Sequence, residues 1–284
     1  MKQIICVVIA LATVIVSGCY DGGGDGYKPS YGANSLTIGL EPSRTTLGES
    51  IDGKRSLYWS AGDRIVADGV TSADAQFEGE KSSVAVFDFG DVALDYPSNI
   101  LYPAAFYKDE ATVTLPNVQS ATINGEIATN TIPMACVTTA GEKPKLQHLA
   151  GVIHLQLRAE NDTHNNNVRK VEFWGNDEEQ VSGDFAIDYT TTTLTATSVK
   201  QASKKTSALV TGELSADVVT DVFVVVPARE YKNGFTVCVI NEAGHFLEKV
   251  KPSSVTIHKG EILKQPEIVF IPTGTLIGVE IPNS

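Results

Sequence analysis

The stretch Leu146–Leu157, LQHLAGVIHLQL, constrains the fold more than any other part of the chain. Leu149, Gly151, Ile153, Leu155 and Leu157 fall on one side of a period of two, and Ala150, Val152, His154 and Gln156 on the other. That spacing predicts a half-buried β-strand with an apolar face on a core and a mixed face toward solvent. The strand lies near mid-chain and is expected to open a second β-domain. Short runs of the same kind precede it at Leu36–Leu40, Arg64–Asp68, Ser83–Phe89, Ile100–Tyr102 and Thr112–Leu115. Others follow it at Val168–Trp174, Gln180–Asp188, Thr191–Thr197, Ser207–Thr211, Asp221–Val226, Phe235–Ile240, His245–Val250 and Ser254–Ile257. Turn residues separate them, as in Ala61-Gly62-Asp63, Phe89-Gly90-Asp91 and Asn241-Glu242-Ala243-Gly244. Val222–Val226 is apolar at every position, which predicts a strand covered on both faces. No window sustains a helical period, so the fold class is all-β, built as sandwiches.

The N-terminus carries a different signal. Lys2 is followed by the apolar run Ile4–Val16, too short to span a bilayer, which closes on Val16-Ser17-Gly18-Cys19. Small residues just before a cysteine resemble the bacterial lipobox. Residues 1–18 would then be a lipoprotein signal peptide and Cys19 the acylated first residue of the mature chain. Several acyl chains on one residue suffice for stable anchoring in the outer membrane. Residues 19–35 are glycine-rich and hold no aliphatic side chain larger than Ala33, so they are read as a tether.

Net charge is −12 with no compensating basic stripe, which argues against nucleic acid as a partner. Cys6 leaves with the signal peptide and Cys19 is taken by lipid. Cys136 and Cys238 sit in apolar, strand-like contexts and are expected as two separate buried thiols. The five histidines (His148, His154, His164, His245 and His258) show no metal-ligand spacing. His148 and His154 fall on the mixed face of the mid-chain strand and are expected to be partly exposed. Asp177-Glu178-Glu179 is read as a solvated turn rather than a Ca²⁺ loop, and Trp59 and Trp174 as core residues. No G-x-S-x-G occurs, and Gly22–Gly26 follows a leader rather than a strand. Neither an enzyme nor a cofactor is expected.

Several pieces in fixed order resemble a known family. An early strand ends in Arg44-Thr45, and Trp59-Ser60-Ala61-Gly62-Asp63-Arg64-Ile65 follows. Then come Tyr102-Pro103, Ile132-Pro133-Met134, Leu146-x-His148-x-x-Gly151, Val226-Pro227 and Lys259-Gly260. After a lipobox, this layout is similar to the fimbrillin-like lipoproteins of Bacteroides and Porphyromonas, the subunits of type V pili. Asp21 and Asp25 also resemble the acidic signal that sends Bacteroidetes lipoproteins to the cell surface.

The resemblance implies two tandem transthyretin-like, Greek-key β-sandwich domains, at 36–145 and 146–266, with a C-terminal extension at 267–284. It also implies assembly with other fimbrial subunits by donor-strand exchange. In that scheme an Arg-specific protease cuts at Arg44, with Arg55 as a competing position. The strand bearing Leu36, Ile38 and Leu40 leaves, and a neighbour's Leu276, Ile277, Val279 and Ile281 take its place. Ile277, Val279 and Ile281 share one face of an alternating segment, as an offered strand requires. The alternative is a monomeric, lipid-anchored surface glycan-binding protein of similar build.

Overall fold

In the computed structural model the fold is described for residues 34–41, 43–44, 54–55, 57–122, 127, 129–162, 166–197, 200 and 203–276. Their regular structure is β-strand, apart from 3₁₀ turns at Ala104–Phe106 and Thr129–Thr131. The chain is all-β, arranged as packed sheets.

A seven-stranded sheet runs in the spatial order Val70–Thr71, Val66–Ala67, Ser98–Tyr102, Met134–Thr138, Lys145–His148, Ser35–Leu40, Val84–Asp88. Its pairings are antiparallel except that Ser35–Leu40 runs parallel to Lys145–His148. A central sheet joins Thr220–Pro227 to Ala150–Ala159, with Ile262–Lys264 and Ile268–Phe270 both parallel to the latter. A six-stranded sheet follows the order Val118–Thr122, Thr206–Glu213, Asn167–Gly175, Phe235–Asn241, His245–Lys251, Gly274–Thr275. A smaller sheet holds Thr193–Ala196, Gly183–Asp188, Thr112–Leu115 and Tyr107–Asp109.

The central sheet separates two cores because successive residues on a strand face opposite ways. Val152, Phe223, Val225 and Ile262 join Leu36, Ile38, Phe87, Ile100 and Trp59 against the seven-stranded sheet. Ile153, Leu155, Val222, Val224 and Val226 join Val171, Phe173, Val237 and Val239 against the six-stranded sheet. A third core lies on the other face of the seven-stranded sheet, where Leu101 and Ala135 meet Val113, Leu115 and Phe185 of the smaller sheet. Val222–Val226 is buried on both faces, as its unbroken apolar run predicts.

The mid-chain stretch departs from expectation in two ways. It is two strands, Lys145–His148 and Ala150–Ala159, in different sheets. The break falls at Leu149, whose side chain turns into the third core and whose N–H donates to Pro133 O at 2.9 Å. The face expected to be mixed is also buried, since Ala150 and Val152 meet the first core and His154 is 0% exposed. Alternation cannot distinguish a face packed on a second sheet from one facing water when a histidine and a glutamine interrupt it. Met134–Thr138 is a strand, in keeping with the strand-like context of Cys136, whereas Val118–Thr122 was not expected and belongs to the sheet built mainly from the second half of the chain.

Candidate functional site

The six residues Ser35–Leu40 alternate half-buried and buried, with Leu36, Ile38 and Leu40 at 5%, 0% and 7% exposure. Each apolar side chain adds roughly 1.5–3 kcal/mol when fully buried. The strand is held from both sides. Five of its residues pair with Val84–Asp88, Ile38 lying opposite Ala85, and Gly39 and Leu40 pair with Lys145 and Leu146. Leu40 N–H donates to Ser83 O at 2.9 Å and Gly39 N–H to Pro144 O at 3.0 Å. Without this strand the seven-stranded sheet would have an open slot with two unsatisfied ladders and an apolar floor.

Trp59 forms part of that floor. Its Nε1–H donates to Ile38 O at 3.3 Å, and its ring stands edge-on to Phe87 and Tyr102 at 4.9 and 5.0 Å. The turn that places it explains the spacing of Trp59, Gly62, Asp63 and Ile65. Gly62 takes φ of 88°, a left-handed conformation that suits glycine, and lets Asp63 fold back. One Asp63 carboxylate oxygen then accepts Ser60 N–H at 2.7 Å and the other Tyr102 O–H at 2.9 Å. Burial raises the Asp63 pKa above the ordinary carboxylate value, and these two donors oppose the rise. The sequence motif is therefore a brace between the turn and the Tyr102 strand, with Ile65 fully buried behind it.

Arg44 and Arg55 are brought into one two-stranded ladder, with Ser43 opposite Arg55 and Arg44 opposite Lys54. It lies just past the end of Ser35–Leu40. At the other end of the chain, Gly274–Thr275 pairs with His245–Phe246 on the edge of the six-stranded sheet. Leu276 is half-buried and its N–H donates to Gly244 O at 2.9 Å. Ile277, Val279, Ile281 and Cys19 lie outside the described residues.

A second set of motif residues converges where the mid-chain stretch breaks. A Cβ on Gly260, whose φ is 68°, would sit 2.8 Å from the His148 ring, and one on Gly151 would sit 2.4 Å from Ile257. Gly260 N–H donates to Ala150 O at 2.9 Å, and Lys259 Nζ donates to Thr191 O and Thr192 Oγ1, both at 2.8 Å. His148, Gly151 and Lys259-Gly260 thus form one crossing that fastens the chain's closing loop to two sheets. His148 is 6% exposed rather than partly exposed, and burial lowers its pKa to about 4. His154 is likewise buried, stacked on Phe223 with Nε2 2.7 Å from Asp221 Oδ1.

The remaining candidates sort quickly. Cys136 and Cys238 are free and buried, and burial pushes both thiols up to about 12. Trp59 is in the core, whereas Trp174 is half-buried on the outer face of its sheet with Lys205 Nζ 4.0 Å from its ring centre. In the turn read as solvated, Glu179 is only 9% exposed and accepts Asp177 N–H. An open depression of about 680 Å³ is lined by Ser60, Asp63, Arg64, Thr71 and Asn130. Among the described residues no group of three or more His, Cys, Asp or Glu side chains is placed to hold a metal, and no helix is long and apolar enough to cross a membrane.

No protein-family model matches the sequence, and no curated protein matches it. Among solved structures the chain is similar to a candidate cell adhesion protein from Bacteroides ovatus, at 14% identity and a TM-score of 0.44, over 87% of this chain and 99% of that one. A candidate cell adhesion protein from Bacteroides fragilis gives 14% identity and a TM-score of 0.43, over 81% and 91% of the two chains. A fimbrial protein from Bacteroides ovatus gives 10% identity and a TM-score of 0.29, over 85% of this chain and 49% of that one.

Proposed function

We propose that this chain is a structural and adhesive subunit of a surface fimbria, exported as a lipoprotein acylated at Cys19 and assembled by strand replacement. An Arg-specific protease cuts at Arg44, or at Arg55 in the same hairpin. Ser35–Leu40 then leaves the seven-stranded sheet, and the tail of a neighbouring subunit fills the slot. Leu276 leads into that tail, and Ile277, Val279 and Ile281 alternate as Leu36, Ile38 and Leu40 do. The role is non-catalytic.

One observation carries this reading. Ser35–Leu40 holds an interior place between two strands, yet the segment that follows it toward the rest of the fold runs through the hairpin bearing both arginines. A strand so deeply paired is worth replacing, and its connection is where a cut would free it. The glycan-binding alternative has less behind it, because Trp59 is buried and Lys205 covers one face of Trp174.

N-terminal sequencing of the protein recovered from surface polymers is the test. The proposal expects Thr45, with Ser56 as the second start. Polymers in which every chain still begins at acylated Cys19 would overturn it.

A further inference from the structure

We infer that Val118–Thr122 is an intramolecular strap, contributed by the first half of the chain and sealing the seam between the central and six-stranded sheets through the side-chain amide of Gln119. The strand is the outermost of the six-stranded sheet and pairs parallel with Thr206–Glu213, Val118 opposite Ser207 through Thr122 opposite Thr211. Ser207 N–H donates to Asn117 O at 2.9 Å, which extends the pairing by one step.

Gln119 points inward and is 6% exposed. Its amide meets Val225 as a neighbouring peptide group would. Oε1 accepts Val225 N–H at 2.9 Å and Nε2 donates to Val225 O at 2.7 Å. The second N–H of Nε2 donates to Thr206 Oγ1 at 2.9 Å, and that hydroxyl donates to Pro116 O at 3.3 Å. Both amide donors and the acceptor are thereby used in a buried place, where an unpaired group is costly. Thr220–Pro227 is the outer strand of the central sheet, so among the described residues no strand lies beyond Val225's outward N–H and C=O. Gln119 supplies the missing partner. An apolar residue would fill the same volume and leave both groups unpaired.

The arrangement ties the first half of the chain to two sheets of the second at one residue. Opening the seam beside the second core requires lifting a strand that belongs, in sequence, to the half holding Ser35–Leu40. For assembly, a consequence that rests on the function proposed above, the strap keeps that half attached to finished sheets while its slot is empty. The strap itself does not depend on that reading.

Hydrogen exchange on the uncut full chain tests it, comparing wild type with Gln119→Leu and Gln119→Glu. Exchange at 118–122 and at Val225 is expected to rise roughly tenfold to a hundredfold in Gln119→Leu, as loss of a buried pair of hydrogen bonds requires. Exchange at 98–102 and 134–138 is expected to stay as in wild type. Gln119→Glu keeps an acceptor for Val225 N–H but loses both donors, and should raise exchange at 118–122 while leaving Val225 better protected than in Gln119→Leu. Should Gln119→Leu fail to fold, Thr206→Val removes one of the amide's acceptors and should accelerate the same two segments more weakly. Unchanged exchange at Val225, or an equal rise over the whole chain, would overturn the inference. The uncut chain is used throughout, so this result is independent of whether Arg44 is ever cleaved.

Discussion

Ile38→Ala probes the hold on Ser35–Leu40 directly. Ile38 is fully buried at the middle of Ser35–Leu40, its main-chain carbonyl accepts the Trp59 indole N–H, and Leu36 and Leu40 flank it on the same face. Truncation removes three carbons at roughly 0.8 kcal/mol each, and the paired strands on both sides keep the space from collapsing. The expected loss is about 2–5 kcal/mol of unfolding free energy. Urea denaturation followed by tryptophan fluorescence reads it, because Trp59 lies against this strand. Thr37→Ala is the control on the opposite, half-buried face and should cost well under half as much. A loss below about 1 kcal/mol for Ile38→Ala, or equal losses for the two variants, would refute the view that this strand is held by its apolar stripe.

Other expectations follow from the same geometry. His148 has a folded-state pKa of about 4 against an ordinary 6.5, so between those values the unfolded chain binds more protons and stability falls as pH drops. The fall should total roughly 3 kcal/mol and level off below about pH 4, and His148→Gln should remove that part of the slope in acid-titrated urea melts. Tyr102→Phe removes a donor that lowers the Asp63 pKa, so the carboxyl should titrate at higher pH by NMR, with a stability cost of about 1–3 kcal/mol. Gly260→Ala places a Cβ against the His148 ring at a left-handed φ, and should lower the melting temperature by the equivalent of about 1–3 kcal/mol while Gly79→Ala, open on all sides, costs less.

Much of the fold could be read before any coordinates. Leu36–Leu40 advertises its strand by clean alternation and Phe235–Ile240 by its β-branched residues. Val118–Thr122 does not, since Val-Gln-Ser-Ala-Thr looks like loop and its buried glutamine is made tolerable only by partners about a hundred residues away. The Leu149 break was hidden for a similar reason. A leucine that changes sheets continues an apolar run as well as one that stays in its strand. Of the candidate site, the stripe Leu36, Ile38, Leu40 was legible from its period, and the structure adds its parallel neighbour Lys145–His148, which no local pattern encodes. The pairing of Ser43–Arg44 with Lys54–Arg55 was equally invisible, because each strand is two polar residues long and shows no alternation. The short motifs around Trp59 and His148 could be picked out as pieces. Their physical roles, a carboxylate brace and a loop crossing, needed the third dimension.

The central claim is that one strand of this molecule can be exchanged for another. Its most direct measurement is native mass spectrometry of the chain after Arg-specific cleavage, incubated with a synthetic peptide spanning residues 275–284. The account predicts loss of the fragment ending at Arg44 and gain of one peptide per chain, with the rest of the fold intact. A cleaved chain that keeps its own fragment and takes up no peptide would contradict it.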